Sequence, residues 1–342
     1  VLVLVLVLVL VYVVLPLLSV FVLLVSMEDS ESTASPVLDL SRTLAQPQRW
    51  NWLRTIPDRP LTVKLPGGRS WSPKNADQTF LGEVTLLDAL VQSRNVPTAG
   101  LALEVGPGAV AATLRALGVE RELQPNPSIA LGAFELSPYE VTQVYHTLAG
   151  GGFRTPLRGI QAVTDPTGKP LTRYPLRTQQ GTDPGATFLV NAGLVEVARR
   201  GTGRRVRELL PGVTVAGKTG TSNDQRDSWF AGFTGDLVAA AWVGHDDNSP
   251  TGLYGASGGL LVWAELMRQL PVQSLTLATP APVRWAATAP TAGMPHGECP
   301  GGYGVPVLPP LPAIGTPCDG EPADPAAPDA PRRAWQWLRE LF

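Results

Sequence analysis

The stretch from Val215 to Gly232, VAGKTGTSNDQRDSWFAG, sets one cation, Lys218, among glycines and threonines at the end of an apolar run. β-Branched residues alternate with small ones in GVTVAGK, as they do in a strand. Gly217 and Gly220 lie on either side of the lysine and let a second backbone or a ligand come close. A strand-end lysine ordinarily serves as a solvated edge charge. Here Thr219 and Thr221 add hydroxyls beside it, and a cation with two hydroxyl donors is a good seat for a carboxylate. The pattern therefore predicts an anion site.

Composition narrows what else the chain can do. Its 342 residues, 44% of them hydrophobic, suffice for one large domain or two smaller ones with a real core. A net charge of -2 gives no long-range attraction for nucleic acid, and no basic stripe is interleaved with aromatics, so nucleic-acid binding is excluded. His146, His245 and His296 stand singly, with no HExxH-like cluster, and the sequence predicts neither a metal nor a cofactor. Cys299 and Cys318 are too far apart for a CxxC pair and too few for a zinc site. In an oxidising compartment they would form one disulfide; in the cytosol they would stay unpaired.

The elements that must position Lys218 are legible in outline. GEVTLLDALVQSRN (Gly82 to Asn95) has helical spacing and ends at Ser93-Arg94-Asn95. A short helix is expected over Pro107 to Gly118. Ser137 to Glu140 forms a capping box before a helix that Gly150 can stop, and another helix spans Pro184 to Arg200. GVTVAGK, SWFAGFTG and LVAAAWVGHDD then read as hairpin-linked strands of an antiparallel sheet, with Gly255 to Leu270 as a covering helix. LTVKLPGGRSWSP reads as a strand and a Gly-Gly turn. Helices followed by a helix-covered antiparallel sheet make an α+β fold. Past Pro271 the chain turns rich in Pro, Ala and Gly, and PRRAWQWLRELF closes it as a short amphipathic helix.

Lys218-Thr219-Gly220 and Ser93-Arg94-Asn95 together match two of three short signatures of penicillin-binding proteins and class A β-lactamases. Further stretches carry a wider likeness: QPQRW, WSPKN, ALVQSRNVPT, ALGAFELSPYEVTQVYHTLAGGG, RRGTGR, AGKTGTSNDQRDSWFAG, WVGHDDN and LYGASG. From about Pro36 to Phe342 the chain resembles the transpeptidase domain of class A penicillin-binding proteins. The resemblance implies acyl transfer on peptidoglycan stem peptides ending in D-Ala-D-Ala, and acylation of the same serine by β-lactams. It implies that Lys218, Thr219, Gly220 and Thr221 seat the terminal carboxylate and that the Thr221 N–H is an oxyanion donor. Ser93 would relay a proton to or from the leaving amine, and Asn95 would hydrogen-bond the substrate amide. It further implies a disulfide between Cys299 and Cys318, cell-wall synthesis regulators as partners, and a catalytic domain on the periplasmic side of the inner membrane.

The sequence departs from this family at the nucleophile. The family's serine sits in Ser-x-x-Lys, where a desolvated lysine serves as base. The residues three before Lys64, Lys74, Lys169 and Lys218 are Leu61, Trp71, Pro166 and Val215, so the motif does not occur. Its place falls on STASP, where Ser32 would be the nucleophile and Ser35 stands at the lysine position. A neutral hydroxyl is no base near neutral pH. The glycosyltransferase domain and the first strands of the transpeptidase sheet have no counterpart, so the fold is expected to be N-terminally truncated.

In place of those strands stand 25 uncharged residues, VLVLVLVLVLVYVVLPLLSVFVLLV, long enough to span a bilayer. They read either as a membrane anchor or as a misread upstream region. Arg42, Arg49 and Arg54 follow them, which by the positive-inside rule would place the following domain in the cytoplasm, against the family expectation. The expected division is a hydrophobic segment at 1–27, a transpeptidase domain at 28–275 and a C-terminal extension at 276–342. The expected activity is that of a serine D,D-transpeptidase. The alternatives are a remnant that binds without acylating and, against the long Pro-rich tail, a β-lactamase or D,D-carboxypeptidase.

Overall fold

A computed structural model describes residues 51–160, 162–173, 175–281, 283–288, 303–309 and 316–317. Strands β1 (Thr55–Asp58) and β2 (Gly82–Thr85) pair antiparallel, Ile56 opposite Val84. The helix expected from Gly82 to Asn95 is thus shorter than its spacing suggested. Val84 is buried in the ladder, and the Thr85 hydroxyl accepts the Asp88 N–H at 3.0 Å, so that helix α1 (Leu86–Val91) starts only there. Helix α2 (Asn95–Val105) follows at once. Pro97 and Gly100 obscured it in the sequence, yet a proline is tolerated in a first helical turn, where its missing N–H would be unsatisfied anyway. Gly106, at φ 99°, then turns the chain into α3 (Pro107–Ala116).

The later elements lie close to expectation. Helix α4 (Pro138–Ala149) opens with the Ser137–Glu140 capping box and stops at Gly150. Helix α5 (Pro184–Arg200) is capped by the Asp183 side chain, and α6 (Arg205–Leu209) follows. The central sheet comprises β3 (Ala216–Thr221), β4 (Ser228–Phe233) and β5 (Val238–Val243), antiparallel in the order β5-β4-β3. Helix α7 (Gly259–Arg268) packs on it.

Alternation along these strands sorts two cores. Ala216, Trp229, Ala231, Phe233, Val238, Ala240 and Trp242 belong with α1, α4 and α5 to the larger one. Phe230, Ala239 and Ala241 belong with Leu260, Trp263, Ala264 and Met267 to the smaller one under α7. The sheet is therefore covered by helices on both faces.

The Pro-, Ala- and Gly-rich region past Pro271 contains strands that its composition hid. β6 (Arg284–Thr288) pairs with β7 (Tyr303–Val307) and β8 (Thr316–Pro317). Val283, Ala286, Val305 and Val307 bury themselves in the larger core, and the Trp285 ring meets Phe188 edge-on at 6.3 Å. The expected Gly-Gly turn is present, with Gly67 and Gly68 joining the two-residue strands Val63–Lys64 and Ser70–Trp71. Ser32, Ser35, Cys299, Cys318, the hydrophobic first 27 residues and the expected terminal helix lie outside the described residues. Among the described residues, no helix is long and apolar enough to cross a membrane.

Candidate active site

Lys218 does not sit at a strand end. β3 begins at Ala216 and runs through Thr221, which places the lysine inside the strand with 2% of its surface exposed. It is not a solvated edge charge. Register puts Lys218 opposite Ala231, so its side chain shares the face of the larger core. There Nζ donates to Ser93 Oγ at 2.7 Å and to the Thr219 carbonyl at 3.0 Å. No carboxylate pairs with it among the described residues. Burial with neutral partners pushes the ammonium down from 10.5 to about 7. The two motifs, 125 residues apart, thus meet through one short hydrogen bond.

Ser93 is held for this contact at a conformational cost. The Ser93 N–H bonds the Leu90 carbonyl at 3.1 Å and the Arg94 N–H bonds the Ala89 carbonyl at 2.8 Å, the double closure that ends many helices. Ser93 occupies the left-handed position of that motif, at φ 56°, where glycine is the usual residue. Strain of this kind persists only where the surroundings over-determine it.

Those surroundings are a buried polar hub that the sequence reading missed. Arg94 Nε donates to Asp58 Oδ2 at 2.9 Å, Nη1 to Asp77 Oδ2 at 2.7 Å and Nη2 to the Thr79 carbonyl at 2.7 Å. Asn75 Nδ2 donates to Asp58 Oδ1 at 2.7 Å, and its Oδ1 accepts the Val96 N–H at 3.0 Å. Asn95 Nδ2 donates to the Lys74 carbonyl at 2.9 Å. The backbone that follows Ser93 is thereby tied to strand β1 and to the 74–79 loop. Hydrogen bonds from Thr79, then the Arg94 guanidinium, hold the Asp77 carboxyl down to about 2. Lys74 and Asn75 belong to the WSPKN stretch, but nothing in that string showed that it would reach Arg94.

The two threonines differ in their surroundings. The pleat places Thr219 and Thr221 on the opposite face of β3 from Lys218. Thr219 is buried, and its hydroxyl shares a 2.6 Å hydrogen bond with Thr202 just past α5. Thr221 is half-buried, and its Oγ1 accepts the Gly255 N–H at 2.9 Å, which leaves its own proton to be donated elsewhere. Gly220 is buried between them. A Cβ on Gly255 would meet the Gly220 carbonyl at 2.6 Å, so the 253–258 loop can lie against β3 only with a glycine there. The structure therefore joins Lys218 to Ser93, turns Thr219 to Thr202, and leaves Thr221 at the accessible lip. Thr202 and Gly255, in RRGTGR and LYGASG, join the site only through these long-range contacts.

The second turn of support comes from α5. Arg200 bridges Asp88 at 3.1 Å and Glu196 at 2.8 Å, and the Thr202 N–H bonds the Val91 carbonyl at 3.1 Å. The end of α1, which carries Ser93, is thus fixed to the segment that holds Thr219. No group of His, Cys, Asp and Glu that could hold a metal ion occurs among the described residues.

Known proteins share this chain's sequence and fold. Residues 54–258 match the profile of the penicillin binding protein transpeptidase domain. The chain is similar to penicillin-binding protein 1B of Vibrio cholerae, 37% identical over 313 residues that cover 91% of this chain and 39% of that protein. It is 38% identical to penicillin-binding protein 1B of Escherichia coli over 252 residues, 73% of this chain and 30% of the other. It therefore spans well under half the length of these relatives. Among solved structures it resembles penicillin-binding protein 1A from Haemophilus influenzae, with a TM-score of 0.74 at 21% identity over 89% of this chain and 49% of that one. It also resembles PonA1 from Mycobacterium tuberculosis in complex with penicillin V, with a TM-score of 0.61 at 22% identity over 77% of this chain and 71% of that one.

Proposed function

The chain belongs to the penicillin-binding protein transpeptidase family, and from that premise we propose that the groove beside β3 binds peptidoglycan stem peptides ending in D-Ala-D-Ala and transfers their acyl group through a serine ester. The observation that carries this reading is the 2.7 Å contact of Lys218 Nζ with Ser93 Oγ. A serine oxygen attacks the penultimate carbonyl, the peptide C–N bond breaks, and D-alanine leaves with a proton on its nitrogen. The amine of a neighbouring stem peptide then attacks the ester and releases the serine, forming the cross-link.

Each chemical need has a candidate residue. A lysine near pH 7 in its proton affinity can hold and release a proton under neutral conditions, and the half-buried Ser93 hydroxyl bonded to it is the group to pass that proton to the departing amine. The terminal carboxylate is met by the Thr221 hydroxyl and by the field of the Lys218 cation. The Thr221 N–H serves as an oxyanion donor. Asn95 stands beside Ser93 to orient the substrate amide. β-Lactams follow the same path and stop at the ester. Ser32 is the nucleophile in this reading, Cys299 and Cys318 are bridged, and the domain works on the periplasmic side of the inner membrane alongside regulators of wall synthesis.

One observation favours a second reading. With Ser35 where the family has its lysine base, the chain would bind stem peptides without acylating. Intact mass of the purified chain with and without benzylpenicillin, followed by peptide mapping, separates the two. A stoichiometric adduct on Ser32 supports the enzyme. Folded protein that stays unmodified overturns it and leaves the binding remnant.

A further inference from the structure

The stretch RRGTGR, Arg199 to Arg204, meets β3 through Thr202, and the backbone around that residue is built to hold it. The N–H groups of Gly201 and Gly203 both bond the Val197 carbonyl, at 3.0 and 3.1 Å, which wraps the chain over the end of α5. A Cβ on Gly201 would run into the Val91 carbonyl, and one on Gly203 would meet the Val197 carbonyl at 3.2 Å. The glycines thus let this turn press against the end of α1. There the Thr202 N–H bonds the Val91 carbonyl at 3.1 Å, two residues before Ser93. Thr202 therefore spans from the Ser93 turn to β3.

Its hydroxyl completes the span. Thr202 Oγ1 and Thr219 Oγ1 lie 2.6 Å apart, and among the described residues no other side-chain bond reaches either oxygen. Two hydroxyls in contact use one proton between them, and the second proton is left to be donated. Burial sets its direction. Thr219 is 6% exposed, whereas Thr202 is half-buried. A proton held inside the site without an acceptor is costly, so Thr219 donates to Thr202 and Thr202 turns its own proton outward.

Thr221 is the other hydroxyl here with a proton to give, because its oxygen already accepts the Gly255 N–H at 2.9 Å. It stands two residues beyond Thr219 on the same face, about 7 Å along the strand. Bonds of about 2.5–2.7 Å from two hydroxyls to the two oxygens of one carboxylate bridge a gap of that size. We infer that Thr202, which lies outside the Lys-Thr-Gly motif, touches the ligand: its hydroxyl donates to the terminal carboxylate of the stem peptide opposite Thr221. Thr219 stands behind it as a positioning residue. This role for Thr202 rests on the stem-peptide reading of the groove and transfers one anion contact from the motif to the turn after α5.

NMR titration of the full chain with diacetyl-L-Lys-D-Ala-D-Ala, and with the same peptide ending in a carboxamide, tests it. Thr202→Val keeps the shape of the side chain and removes the hydroxyl. Affinity for the free acid should fall about 10- to 100-fold, the range of a hydrogen bond to a charged group, while affinity for the carboxamide stays that of the parent chain. Thr202→Ser should restore binding of the acid. Thr219→Val should cost less than Thr202→Val, since Thr202 keeps its own proton. The role fails if Thr202→Val binds the acid as the parent does, if it loses acid and carboxamide alike, if serine does not restore binding, or if Thr219→Val costs more. A parent chain that binds neither peptide overturns the stem-peptide reading and the role of Thr202 with it.

Discussion

β3 and β5 flank the same central strand, yet their edges are finished differently. β3 is met by Ser93 from the α1–α2 junction, Thr202 from the end of α5 and Gly255 from the loop before α7. Among the described residues, what reaches the β5 backbone from beyond β4 is the Trp263 indole, and β5 offers the Trp242 indole to Asp227 at 3.0 Å. The edge built of Gly and Thr is closed by polar side chains and carries the buried cation. The edge built of Val, Ala and Trp is half-buried among apolar side chains instead. Composition at an edge thus sets whether it can carry a polar site.

The largest effect is expected from breaking the β3 side at its support. Arg94→Ala leaves Asp58, which is fully buried, without its cation, at a cost of about 3–5 kcal/mol. Urea unfolding measures it, and a loss below about 1 kcal/mol would mean that the hub contributes little. Next comes the pH dependence from Lys218. Its folded value lies below its unfolded one, so between about 7 and 10.5 the unfolded chain binds the extra proton. Stability should therefore rise with pH across that window, by up to about 1.4 kcal/mol per unit, and this group should add no slope below it. Lys218→Met should remove that slope; unfolding free energies of both proteins at a series of pH values decide.

On the β5 side, Trp242→Phe removes the indole donor from a buried Asp227. A loss of about 1–3 kcal/mol is expected, with the titration of Lys218 unmoved. A moved titration would show that the two edges are coupled through β4. The smallest effect concerns Ser93. Ser93→Gly and Ser93→Ala both lose the contact with Lys218, but only glycine relieves the left-handed strain, so the glycine variant should be the more stable by about 1 kcal/mol. Equal thermal midpoints would mean that Ser93 is unstrained.

What the sequence revealed follows the range of the interactions. The α4 capping box, the Asp183-capped α5 and the three sheet strands rest on local patterning, and all were legible. β3 starts at Ala216, later than the GVTVAGK pattern suggests, although Val213 and Thr214 look like strand residues. In the fold Thr214 bonds instead to Ser274 and Leu275, which the string alone does not pair with it. Gly82–Thr85 carries helical spacing in the string, while its pairing with β1 lies across a loop. At the site, Lys218, Ser93 and Thr221 could be named from motif and spacing. The burial of Lys218 and the Arg94 hub could not, since Asp58, Asn75 and Asp77 become its partners only once β1 and the 74–79 loop have folded. The placing of Thr219 beside the charge failed for a simpler reason, the pleat, which sends neighbouring side chains to opposite faces.

Burial in contact with Ser93 gives Lys218 a proton affinity suited to neutral pH. Nitrogen-15 NMR of the lysine side chains, with Lys218 assigned by its loss in Lys218→Met, reads this directly. A midpoint of about 7 for Lys218, rising when a D-Ala-D-Ala peptide is added, is expected. A midpoint near 10.5 that ignores the peptide would contradict it.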